Sequence, residues 1–235
     1  MADEAAAGET KKAAPYTGPR SYLPFVVVGT AIAIATTLVV ARNFLAGSYK
    51  VPSSSMVPTI TNGEHILVNR TDKAAGRGKV IVFRSPEHPE QEFVKRIVGM
   101  PGDVVAVKDG TTLVVNGKAT PSCTVGAWKL VEADGSSHEG DLVVESLDGT
   151  RYLVFHERGL GAGLPAGPWT VKPGESFVMG DNRANSHDSR MWFMGQGGGV
   201  PNESILGTVR PQGAIGLPLG AESLKEKLKA CVASL

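Results

Sequence analysis

The chain has 235 residues, with 24 Lys and Arg against 23 Asp and Glu, and 42% of it is hydrophobic. The near-neutral balance leaves no basic excess for binding a phosphate backbone, so nucleic acid is not an expected partner, and the apolar content suffices for a real core, which argues against wholesale disorder. Cys123 and Cys231 have no C-x-x-C or zinc spacing, so neither a redox motif nor a metal site is expected, and whether they pair is left open.

Residues 1–20, rich in Ala, Gly and charge of both signs, read as a disordered cytoplasmic tail. Residues 21–41 contain no charge and span roughly 30 Å as a helix, the thickness of bilayer hydrocarbon, and the stretch from Phe25 to Val40 within them is almost wholly apolar. A cleavable signal peptide is the competing reading, because Ala31-Ile-Ala33 and Ala33-Ile-Ala35 imitate small-x-small cleavage patterns. The apolar run continues past those alanines, which favours an uncleaved anchor over 21–42. Lys11, Lys12 and Arg20 precede the span and Arg42 and Lys50 follow it, a slight bias toward a cytoplasmic N-terminus.

Beyond Tyr49 short β-branched runs bounded by turn residues predict strands at His65 to Asn69, Lys79 to Phe83, Glu92 to Val98, Val104 to Val107 and Thr111 to Val115. Asp109-Gly110, Asn116-Gly117 and Asp148-Gly149 suit tight hairpin turns. A hairpin is expected from Asp141 to Leu147 and Arg151 to His156, a loop from Gly159 to Pro173, and further strands at Glu175 to Met179 and Ile205 to Val209. Leu224, Leu228 and Val232, spaced by four, predict a helix over 221–235.

Three segments hold candidate chemistry: Val51-Pro-Ser-Ser-Ser-Met-Val-Pro-Thr59, Phe93-Val-Lys-Arg-Ile-Val-Gly-Met-Pro-Gly-Asp103 and Gly180-Asp-Asn-Arg-Ala-Asn-Ser-His-Asp-Ser-Arg190. A serine hydroxyl needs a base to become a nucleophile, and a lysine can be that base only when burial keeps its amine neutral. In a strand Lys95 shares its face with Phe93 and Ile97, an apolar setting, while Arg96 points the other way. Each segment alone has a plain reading. Ser-Ser-Ser between prolines is commonly a turn or linker, a strand lysine commonly a snorkelling surface group, and Asp181, Asn182 and Asn185 commonly a turn or weak calcium loop, here without the EF-hand register.

Together, in this order after an anchor, the three boxes resemble those of the type I signal peptidases, or leader peptidases. The resemblance implies a mainly β fold in which one N-terminal transmembrane helix precedes a β-rich catalytic domain (43–119 and 174–220) carrying an inserted variable β-domain (120–173) and, here, a C-terminal helix (221–235). It implies Ser55 as nucleophile, Lys95 as general base, Ser53 and the Ser55 N–H as oxyanion hole, and Ser186 as the hydroxyl orienting the lysine. Asp188 and Arg190 match a bracing ion pair, and Gly180, Asp181, Asn182 and Arg183 a supporting turn. The expected partners are signal peptides of exported preproteins and membrane lipid, with the catalytic domain on the outer side of the bacterial inner membrane and no cofactor or metal.

Departures from the pattern are Ala184, where many members carry aspartate, and a glycine-rich insert from Phe193 to Gly199, read as flexible. Val51, Met56, Ile60, Phe93 and Val94 are expected to wall shallow pockets that admit only small side chains. An apolar surface near Val51 and Val57 is expected to rest on the membrane. Rival readings are a Ser/Lys self-cleaving repressor, whose DNA-binding domain is replaced here by an apolar span, and a non-catalytic membrane-tethered β-module. A Ser-His-Asp site at His187 and Asp188 is disfavoured, because adjacency in sequence is not triad geometry.

Overall fold

A computed structural model describes residues 21–132, 134–159, 163–209 and 215–235, excepting the side chains of residues 40–46. The expected disordered tail lies outside these residues. Helix α1 (Leu23–Leu45) makes up, as far as Arg42, the described part of one unit, and the chain from Asn43 onward forms a second. Described side chains of α1 run from Leu23 to Val39, are exposed and carry no charge. No helix is long and apolar enough to cross a membrane among the described residues.

The second unit is mainly β. Its first strands are β1 (Ala46–Lys50), β2 (His65–Asn69), β3 (Val80–Arg84), β4 (Glu92–Gly99), β5 (Val104–Lys108), β6 (Thr112–Val115) and β7 (Lys118–Ala119). Then come β8 (Ser122–Val131), β9 (Ser137–Leu147), β10 (Thr150–Glu157), β11 (Trp169–Thr170), β12 (Glu175–Met179), β13 (Val200–Pro201) and β14 (Ile205–Val209). The chain closes on a single 3₁₀ turn, Glu222–Leu224, running into helix α2 (Lys225–Ser234).

Three sheets result: a seven-stranded one ordered β1-β2-β14-β3-β4-β12-β13, a four-stranded one ordered β11-β5-β6-β7, and a three-stranded one ordered β10-β9-β8. The seven-stranded sheet is buried on both faces at its centre, which is why β3 reads as a continuous apolar run. Val80 and Val82 join Val51, Met56, Ile66 and Val94 in one core, while Ile81 and Phe83 join Ile97, Val178 and Trp192 in another. Strand β10 is likewise two-sided, with Tyr152 and Val154 packing toward Val105 and Phe177, and Leu153 and Phe155 toward Trp128 and Leu228.

Helix α2 is tied to β8 by a disulfide between Cys123 and Cys231, with Cα atoms 5.5 Å apart. The insert from Phe193 to Gly199 is a closed turn rather than a loose loop. Gly195, Gly197 and Gly198 donate N–H groups to Met191, Trp192 and Ser189, and Phe193 N–H donates to Glu87 at 2.7 Å. Phe193 and Met194 both take positive φ there, at 54° and 59°, a conformation uncommon for bulky residues.

Candidate active site

The segment after β1 makes a tight turn that presents Ser55. Its neighbours fix it from both sides: Met56 is wholly buried beside Val51 and Ile66, and Val57 is buried in the core under β8–β10. Val51 and Val57 are therefore interior residues, and they do not supply the membrane-resting surface expected of them. From the other direction the Asn182 N–H donates to the Ser55 carbonyl at 3.1 Å.

Lys95 comes from β4, two residues after Phe93 on the same face. Its Nζ lies 2.7 Å from Ser55 Oγ, 3.0 Å from the Val94 carbonyl oxygen and 5.6 Å from the Phe93 ring centroid. The lysine is 5% exposed. Burial is the main cause that brings its pKa down from 10.5 to about 8; Asp188 and Asp181 act against the shift and Arg190 adds to it. A large share of such an amine is neutral slightly above neutral pH and can take the proton of a hydroxyl in contact with it.

Ser53 Oγ lies 3.0 Å from Ser55 Oγ and accepts the Ser55 N–H at 3.2 Å. The two groups named by sequence for an oxyanion hole are thus adjacent and bonded to each other.

The segment after β12 encloses the other side. Asp188 is fully buried and takes a bidentate pair from Arg190, Nη2 to Oδ2 at 2.8 Å and Nε to Oδ1 at 2.9 Å, besides the Gly180 N–H at 2.9 Å. Burial would raise the Asp188 carboxyl, but Arg190 and the Gly180 amide outweigh it and hold it below its usual range. Gly180 has no room for a side chain, since a Cβ would run into the Ser186 side chain and the Ser55 carbonyl. The Ser186 hydroxyl has no hydrogen-bond partner of good geometry among the described residues, although it is near enough to Asp188 to help keep that carboxylate ionised. It makes no bond to Lys95.

Arg96, on the opposite face of β4 from Lys95, pairs with Asp181 at 2.6 Å and donates to the Gly78 carbonyl at 2.7 Å. Arg183 pairs with Glu145 of β9. No sequence pattern pointed to Glu145, which lies outside all three boxes. His187 instead pairs with Glu87 at 2.7 Å on the surface.

A cleft of about 340 Å³ opens at the dyad, walled by Val51, Phe93 and Val94 together with Tyr49, Ile66 and Val82. Met56 and Ile60, expected in that wall, are not part of it. Met56 points into the core, and Ile60 faces a separate groove beside Thr59 and Val80. Sequence reasoning could not assign them because a turn has no periodicity to tell in from out. Tyr49, Ile66 and Val82 were missed because strand pairing, not sequence nearness, brings them there. The β12–β4 ladder ends at Met179 against Arg96, leaving residues 92–95 with no partner strand on the cleft side among the described residues. Among the described residues no group of His, Cys, Asp and Glu is placed to hold a metal ion.

The chain is similar in sequence to known proteins. Residues 23–212 match the family described as signal peptidase, peptidase S26. A signal peptidase I of Pseudomonas fluorescens is 35% identical over 72% of this chain and 65% of its own length, and one of Pseudomonas aeruginosa is 34% identical over the same shares. The chain thus spans just under two thirds of these Pseudomonas relatives. The signal peptidase I T of Bacillus subtilis is 36% identical over 77% of this chain and 80% of its own length. A crystal structure of a signal peptidase I from Enterococcus faecalis V583 is 27% identical over 59% of this chain and 99% of that one, with a TM-score of 0.34.

Proposed function

The chain belongs to the signal peptidases of the peptidase S26 family, and we propose that it is a serine endopeptidase that removes signal peptides from exported preproteins, with Ser55 as nucleophile and Lys95 as general base. The observation that carries this reading is the 2.7 Å contact between Lys95 Nζ and Ser55 Oγ in a site that brings the lysine down to about 8.

In the proposed reaction the neutral Lys95 amine takes the Ser55 proton as Oγ attacks the scissile carbonyl carbon. The oxyanion is received by the Ser55 N–H and the Ser53 hydroxyl, once that hydroxyl turns from Ser55 toward substrate. The Lys95 ammonium then gives its proton to the departing amine, leaving an acyl-enzyme on Ser55, and the same amine activates the water that hydrolyses it. Asp188 and Arg190 brace the wall behind Lys95. Ser186, half-buried with its hydroxyl set against Gly180 and near Asp188, is assigned the orienting role through that packing. The unpaired edge at residues 92–95 suits an extended substrate added as a strand, and the apolar cleft beside it admits small side chains.

The charge-free run 21–41 continuing into α1 supports a single membrane anchor, and the disulfide supports an oxidising compartment for the second unit, the outer side of the inner membrane. Cleavage of a synthetic preprotein by the purified full chain in detergent, with Ser55→Ala as control, tests the reading. Specific cleavage at a small-x-small site that vanishes in the variant is expected, and equal cleavage by both proteins would sink it.

A further inference from the structure

Strands β9 and β10 place Glu145 directly opposite Tyr152. Both are buried, and the Tyr152 hydroxyl donates to Glu145 Oε2 at 2.9 Å. The pair meets two arginines from different boxes. Arg183 Nη1 donates to Glu145 Oε1 at 2.6 Å and its Nη2 to Oε2, while the Arg96 guanidinium stacks 4.0 Å from the Tyr152 ring centroid.

Each arginine adjoins a residue that sets the dyad. Arg96 follows Lys95, and Arg183 follows Asn182, whose N–H holds the Ser55 carbonyl. The same hairpin also bonds the backbone here, for Phe155 N–H donates to Asp181 O at 2.8 Å and Arg183 N–H to Phe155 O at 3.1 Å. Charge completes the picture. Three buried guanidiniums, on Arg96, Arg183 and Arg190, face three buried carboxylates, on Asp181, Asp188 and Glu145. These charges cancel only with Glu145 included and Lys95 neutral, so without Glu145 a buried cation stands uncompensated beside the nucleophile turn.

We infer that Glu145 and Tyr152 are positioning residues of the dyad, through which the β8–β10 sheet holds the Ser55 and Lys95 segments in register. The inference rests on the peptidase reading above. A hairpin that merely completed the core would affect stability, whereas one that sets the distance between base and nucleophile affects turnover of bound substrate.

Steady-state cleavage of a preprotein by the full chain in detergent, well below each variant's own Tm, separates the two. Failure of the wild type to cleave would count against the peptidase reading itself. Given wild-type cleavage, folded Glu145→Gln is expected to lose about ten-fold or more in kcat with KM within about two-fold. Tyr152→Phe keeps the ring under Arg96 and deletes one hydrogen bond, so a smaller loss, about three-fold, is expected in kcat alone. Wild-type kcat in folded Glu145→Gln, or a loss confined to KM, would overturn the inference. Should Glu145→Gln fail to fold, Tyr152→Phe decides by the same criterion.

Discussion

Lys95 and Arg96 are neighbours in β4, yet their charged groups part to opposite faces of the sheet, Lys95 Nζ to Ser55 Oγ and the Arg96 guanidinium to Asp181. Period-2 alternation thus sends one side chain of the dipeptide to a serine hydroxyl and the other to a buried carboxylate. The proposed base needs desolvation, and the arginine needs a buried counter-ion.

Ser53→Ala tests the hydroxyl next to the nucleophile. Ser53 is exposed, and among the described residues its side chain bonds only to Ser55. Folding and KM should hardly change, while kcat falls by about 10² to 10³, the usual loss of one oxyanion donor. An unaltered kcat would remove Ser53 from the reaction.

The lowered Lys95 pKa predicts two pH effects. Activity should rise through about 8 as the amine loses its proton. For stability, the folded pKa of about 8 lies below the ordinary 10.5, so between these values the unfolded chain binds more protons and stability rises with pH. Compared with Lys95→Met, in which this titration is absent, the wild type should gain on the order of 3 kcal/mol across that window. Parallel Tm-against-pH curves for the two proteins would refute the shift.

Gly180→Ala places a methyl group against backbone that cannot yield, the Ser55 carbonyl, and against Ser186. A stability loss of about 1 to 3 kcal/mol is expected together with lost cleavage, because relief of the clash moves the nucleophile turn. Denaturant melts and cleavage assays on the same preparation check it, and an active, equally stable variant would mean that the contact is loose.

The Cys123–Cys231 bond closes a 108-residue separation and pins α2, whose Leu228 packs with Trp128. Reduction, or Cys123→Ser with Cys231→Ser, should lower stability by about 2 to 5 kcal/mol. An unchanged melt under reductant would contradict a stabilising role.

Much of this protein could be read from its sequence, and what could not has physical reasons. Strands β2, β12 and β14 have the expected ends because each apolar run is closed by polar or glycine residues. Strand β8 was missed because its register shifts between Thr124 and Gly126, which breaks the alternation between Val125 and Trp128. Strand β1 was missed because Ala46–Lys50 is a short edge strand of small and polar residues. Ser55 and Lys95 were legible because their boxes are long and ordered. Glu145 was not, since it joins Arg183 only through folding of distant strands, and neither was the cysteine pairing, since nothing local links residues 108 apart.

The account stands most directly on Lys95 acting as a base, and turnover of a preprotein by Lys95→Arg, measured from neutral pH to about pH 10, tests that claim. A guanidinium keeps its proton throughout this range and cannot accept one from Ser55. Folded Lys95→Arg is therefore predicted to be as inactive as Lys95→Ala at every pH, while wild-type activity climbs through about 8. Near-normal turnover by Lys95→Arg would show that position 95 supplies charge rather than a proton acceptor, and would contradict the Ser55–Lys95 mechanism.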